Sequence, residues 1–279
     1  MKRHRLVAFF LLTFAISWGV PGILLLLSAA TGAFEVSLER SSPLSYLVIW
    51  SPAISAFAVL AMTSGSAGLR AYLRRLLHVR FAWYWYVAVL AGIPLLKLLA
   101  SALTGASGQP GIVTPTISLG AFLVAALLVA SEGPFEEFGW RGFALPLLQR
   151  RFNGLVASLI LGAVWSLWHV PAFFYQTVMT GSMAGEVLPA LVRFFAGSIA
   201  LTVIMTVIYN GSGGSIPLMF LFHWTENLPY PWEAQTGISY MNTVITMTVA
   251  IILVFSLRRR YLARRNLYTD VTPGIPDDT

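Results

Sequence analysis

Residues 130–143, ASEGPFEEFGWRGF, determine what kind of protein this is. Glu132, Glu136, Glu137 and Arg141 stand here between two apolar runs, AFLVAALLV (121–129) and ALPLL (144–148). An ionisable group at membrane depth costs a few kcal/mol or more, so such groups are retained mainly where they function. The rest of the chain places this stretch in a bilayer. It is 57% hydrophobic and 10% charged, with a mean hydropathy of +0.75, against roughly 25% charged residues in a soluble domain. The 279 residues fit one membrane domain, about 1–265, followed by a polar tail, 266–279, expected to be disordered.

Composition excludes several chemistries. There is no cysteine, so disulfides, thiolate catalysis, zinc–thiolate and iron–sulfur sites are ruled out. The terminal IPDDT carries no prenylation signal, so no lipid is expected there. The net charge of +7 does not call for nucleic acid, because the basic residues fall in short segments between apolar runs.

Eight apolar spans are legible, at about 6–29, 44–63, 82–103, 117–138, 154–176, 187–209, 215–229 and 239–257. A span of about 20 helical residues crosses the roughly 30 Å hydrocarbon core. The seventh is short, as expected of a broken or partly inserted helix. With the N-terminus inside, cytoplasmic segments hold Lys2, Arg3 and Arg5, then Arg70, Arg74, Arg75 and Arg80, then Arg141, Arg150 and Arg151, then Arg258, Arg259, Arg260, Arg264 and Arg265. That is 15 of the 18 basic residues. Outside loops hold Glu35, Glu39, Glu186 and Glu233, with Arg40 as their base. The expected fold class is therefore all-α, a polytopic eight-transmembrane-helix bundle with both termini cytoplasmic. The first span exceeds the usual signal-peptide core and is expected to stay as an anchor. Segment 70–80, RAYLRRLLHVR, reads as an interfacial amphipathic helix with a solvated basic face that includes His78.

Gly133-Pro134 should break the fourth span and start a new helix. Glu136 and Glu137 would lie in its first turn, where the helix dipole favours negative charge. Glu137 and Arg141 are four apart, on one stripe, with the acid first, which is the better order. Glu136 is rotated by about 100° and is left for chemistry. A purely structural ion-pair cluster satisfies the same spacing. Glu132 is at most a supporting residue. Of the four histidines, His4 and His78 fall in basic segments, whereas His169 (in VWSLWHVP) and His223 (in FLFHWTENL) fall in spans. His223 and Asn227 share a helix face, and their N–H groups suit either an oxyanion or interhelical hydrogen bonding. Glu226 would orient His223 or face the outer interface, and the interface is favoured. Lys97 and Arg193 are expected to snorkel, and the WYWY at 83–86 to form an interfacial belt.

The ordered set E136-E-F-G-W-R141, W165-S-L-W-H169 and H223-W-T-E-N227 resembles the CAAX protease and bacteriocin-processing family, whose eukaryotic branch is the type II CAAX prenyl endopeptidase. The family pattern is EExxxR, FxxxH and HxxxN on successive membrane helices. Trp165 replaces the usual Phe, an aromatic exchange expected to matter little. The resemblance covers about 117–229 and implies a polar intramembrane cavity opening to the cytoplasmic side. It implies that Glu136 and His169 activate water, that His223 and Asn227 form the oxyanion hole, and that Glu137 and Arg141 support them.

The expected function is intramembrane endopeptidase, acting without a cofactor on a peptide or protein substrate at the membrane, lipidated substrates included. The expected location is the lipid bilayer of a bacterial or archaeal cell membrane. One alternative adds zinc, held by Glu136, His169 and His223 with an open water position, although no HExxH motif is present. A transporter or proton pathway would also use buried carboxylates and histidines, but the inverted repeats it calls for are not visible. An immunity-type, non-catalytic scaffold is the remaining alternative, and the complete set Glu136, His169, His223 and Asn227 argues against it.

Overall fold

The computed structural model describes residues 4–39, 42–106, 118–180, 184–230, 232 and 240–263. Arg40, Glu233, Arg264, Arg265, the side chain of Glu186 and the tail 266–279 lie outside the described residues. Among the described residues, seven helical spans are long and apolar enough to cross a membrane. They are α1 (Arg5–Thr31), α2 (Pro43–Arg75), α3 (Tyr84–Ala106), α4 (Leu119–Arg151), α5 (Gly154–Tyr175), α6 (Val187–Gly211) and α8 (Tyr240–Leu262). Between the last two lies α7 (Ile216–Asn227). Its 12 residues rise about 18 Å, too short to cross the hydrocarbon unaided. The seventh apolar segment of the sequence is thus a half-length helix, held among longer ones.

Local chemistry explains where these helices begin and turn. Ser42, Ser118, Asn153 and Ser215 each accept a backbone N–H from the first turn of α2, α4, α5 and α7. Gly213 and Gly214, at φ 73° and 80°, make the tight turn from α6 into α7. α2 bends at Gly65, whose φ of 60° and ψ of −160° are not helical.

That bend carries the first correction. Segment 70–80 is not a separate solvated helix, because α2 runs on to Arg75 and turns one face inward. Tyr72 is fully buried and donates its hydroxyl hydrogen bond to the Phe138 carbonyl. Arg75 donates to the Gly142 carbonyl at 2.7 Å and to the Tyr209 hydroxyl at 2.7 Å. His78 donates from Nε2 to the Ser212 carbonyl at 3.0 Å. Only Arg70, Arg74 and Arg80 keep the exposed basic face. Carbonyls exposed by the irregular middle of α4, and polar groups at the end of α6, take these side chains out of solvent.

Three further expectations change for the same reason. Lys97 does not snorkel. It is buried and pairs with the part-exposed Glu226 at 3.8 Å. Arg193 stacks 3.9 Å from the centre of the Tyr240 ring, bridging α6 and α8. Within WYWY, Trp83 and Tyr84 are exposed, but Trp85 packs inside against Gly211 and Tyr261.

The ends of several helices meet on one side of the molecule. Ser215 donates to the His78 carbonyl, Asn210 donates to the Tyr261 carbonyl, and Gly154 lies against Tyr261 and Leu262. The segments that carry Arg70–Arg80, Arg150–Arg151 and Arg258–Arg260 are therefore neighbours. Arg141 leaves this group, because α4 continues helically past it to Arg151 and Arg141 is fully buried.

Candidate active site

The fourth span breaks where Gly133-Pro134 predicts. The α-helix ends at Ala130, one 3-10 turn covers Gly133–Phe135, and helix resumes at Glu136. Glu136 and Glu137 occupy the first turn of the resumed helix. A π-helical turn over Trp140–Ala144 follows before regular helix returns at Leu145. Such single π-turns are frequent at functional sites. Here the turn carries Trp140 and Arg141, both fully buried.

Glu137 is the hub. Its Oε1 accepts from Arg141 at 2.9 Å, the pair foreseen from spacing, and from His223 Nδ1 at 2.7 Å. The Arg141 guanidinium also donates to Thr202 Oγ1 at 3.1 Å and sits 4.7 Å above the Trp165 ring. A carboxylate in an ion pair only accepts, so His223 Nδ1 donates and Nε2 is left for other partners. A neutral ring offers a lone pair at Nε2, and an imidazolium offers a proton.

His223 Nε2 and Asn227 Nδ2 converge. A Cβ built on Gly133 would stand 2.8 Å from each of them. Two polar nitrogens, one helical turn apart on α7, therefore point at the same spot beside the break in α4. Asn227 is exposed whereas His223 is buried, so the spot is open on the asparagine side.

Glu136 lies apart from the Glu137 hub, as its rotation along the helix requires. It is buried, and its Oε2 accepts from Trp165 Nε1 at 2.9 Å and from Trp140 Nε1 at 3.3 Å. Trp165 also connects the histidines: its ring is edge-on to His169 at 5.3 Å and to His223 at 5.8 Å between centroids. His169 Nδ1 donates to the Trp165 carbonyl at 2.8 Å, because a carbonyl only accepts. When the ring is neutral its Nε2 then carries a lone pair able to take a proton. Trp168 and Phe194 pack the same imidazole.

Glu136, Glu137, Arg141, His169, His223 and Asn227 thus come together across α4, α5 and α7. Four participants were missed as such from sequence. Trp140 stands four residues after Glu136, a spacing that could have revealed it. By aromatic class Trp165 equals Phe, yet its indole N–H makes a bond to Glu136 that no phenyl ring can make. Gly133 was read only as a breaker. Thr202 has no local signal. Glu132 is buried beside Gly133 at the break.

The zinc alternative does not fit this arrangement. The described His, Asp and Glu side chains contain no group of three placed to hold a metal ion. One oxygen of Glu136 is already occupied by two indole donors.

Residues 115–229 match the family described as Type II CAAX prenyl endopeptidase Rce1-like. The chain is also 30% identical over 135 residues to CAAX prenyl protease 2 of Methanococcus maripaludis, covering 47% of this chain and 50% of that one. The chain thus spans about half the length of the curated relative it matches. The matched region contains every residue of the site just described.

Proposed function

We propose, for a chain whose residues 115–229 carry the Rce1-like CAAX endopeptidase match, that it is an intramembrane endopeptidase. The observation that carries this reading is the meeting of His223 Nε2 and Asn227 Nδ2 at Gly133, beside a carboxylate held apart from the ion-pair hub. Residues 1–265 form the membrane domain, with 117–229 as its protease core, and both termini lie in the cytoplasm of a prokaryotic cell.

The chemistry is hydrolysis of a peptide bond. Glu136 accepts a proton from water while the resulting hydroxide attacks the carbonyl carbon. The lone pair on His169 Nε2 holds the attacking water. Negative charge then develops on the former carbonyl oxygen, where the Asn227 amide and a protonated His223 donate. A single donor of this kind contributes about 2.7–4 kcal/mol to the transition state. Collapse returns the proton from Glu136 to the departing amine. Glu137 and Arg141 fix His223 and do not touch the substrate. No cofactor enters this scheme.

The substrate is a peptide or protein segment at the membrane, and a lipidated tail fits the name of the matched relative. Comparison of peptide termini in cells carrying the wild type or Glu136→Ala tests the reading. New termini dependent on Glu136 are expected. Identical termini in both strains would remove the proposal.

A further inference from the structure

The two indoles on Glu136 go beyond the general hydrolytic scheme. Both donate to Oε2, and among the described residues Oε1 has no hydrogen-bond partner. Both rings are themselves held. Trp140 is fully buried, edge-on to Phe9 of α1 at 5.5 Å and to Trp168 of α5 at 6.0 Å. Trp165 is buried between the two imidazoles and lies under the Arg141 guanidinium. A glutamate has three rotatable bonds and would otherwise sample several rotamers. Two rigid donors on one oxygen leave it essentially one.

We propose that Trp140 and Trp165 are positioning residues that lock Oε2 of Glu136 and thereby assign proton abstraction to Oε1. This rests on Glu136 being the base. Neither indole touches the substrate. Trp165 has this role through its indole N–H, a donor that a phenyl ring lacks. Misplacing a catalytic group by about 1 Å can cost roughly 10²-fold in rate. The loss should fall on kcat, since the clamp orients the base and binds no substrate.

The test begins without substrate. In 15N-tryptophan-labelled full-length protein in detergent, Trp140→Phe and Trp165→Phe identify the two indole N–H resonances. Glu136→Gln replaces a charged acceptor with a neutral one, so both resonances should shift while that of Trp85 stays in place. Two resonances unmoved by Glu136→Gln overturn the proposal. Turnover is then followed with a quenched fluorescent farnesylated CAAX peptide in proteoliposomes. Measured at a temperature where it stays folded, the double variant Trp140→Phe/Trp165→Phe should lose about 10²-fold in kcat with KM unchanged. Wild-type kcat in the double variant, with Glu136→Gln inactive, overturns the clamp and leaves the base intact. Full activity of Glu136→Gln overturns the base itself.

Discussion

Replacing Arg141 by alanine or methionine should destabilise the protein far more than most single changes. Arg141 is fully buried and makes three interactions, with Glu137 at 2.9 Å, Thr202 at 3.1 Å and the Trp165 face at 4.7 Å. Its loss strands the Glu137 carboxylate, also fully buried, with His223 as its remaining hydrogen-bond partner among the described residues. Removing one member of a buried ion pair costs about 3–5 kcal/mol, mostly from the uncompensated charge left behind. That lowers the folded-to-unfolded ratio by about two to four decades. Removing both charges together should cost much less, since an apolar replacement of a whole buried pair is often near neutral. Glu137→Gln/Arg141→Met should therefore recover most of the stability lost in Arg141→Met. The Glu137→Gln carbonyl oxygen can still accept from His223. Titration with SDS in dodecyl maltoside micelles, followed by tryptophan fluorescence, measures all three proteins. An Arg141→Met variant within about 0.5 kcal/mol of wild type, the range of ordinary surface changes, would refute the reasoning.

Four other outcomes are expected. Gly133→Ala should remain folded, because the atoms its Cβ meets are the ends of two side chains, but it should lose activity, because those ends are the proposed oxyanion donors; melting temperature and turnover check this together. Asn227→Ala should lower kcat by about 10²–10³ with little change in stability, as for removal of one oxyanion-hole donor; a rise in KM with kcat unchanged would contradict that role. Treatment of purified, metal-analysed protein with 1,10-phenanthroline should leave turnover unchanged, and loss reversed by added zinc would reinstate the metal scheme. The chain has no cysteine, so single cysteines report topology cleanly: exposed Phe34→Cys should react with an impermeant maleimide in intact cells, and exposed Arg74→Cys only after permeabilisation. The reverse pattern would invert the orientation.

Hydropathy and proline placement made most of the helices legible. The eight apolar runs fall on eight helices, and Gly133-Pro134 breaks α4 where proline chemistry says it should. The Glu137–Arg141 pair followed from helical spacing alone. What sequence could not give were contacts set by distance in space. Spacing along one helix cannot show that Glu137 reaches His223 across 86 positions, or that Thr202 receives Arg141 across 61. Lys97 was misplaced because snorkelling is the default for a lone lysine, and its partner sits on another helix. Trp165 was undervalued because substitution by aromatic class ignores the indole N–H.

The long second helix explains how the broken fourth one survives in a bilayer. Irregular backbone at membrane depth persists only where protein satisfies its polar groups. The interruption and π-turn of α4 leave carbonyls without their regular helical partners, and α2 supplies donors along this whole stretch. Trp50 donates to the Ser131 carbonyl at 2.9 Å, Tyr72 to that of Phe138, and Arg75 to that of Gly142 at 2.7 Å. The same helix approaches so closely at Pro52 that Gly139 has no room for a side chain. These contacts require α2 to extend beyond its apolar stretch, through the Gly65 bend, into a segment whose basic residues look merely interfacial in the sequence. The basic end of α2 is therefore a splint for α4. It holds the helix that restarts after Gly133-Pro134, whose first regular turn sends Glu136 toward Trp165 and Glu137 toward His223 from adjacent positions.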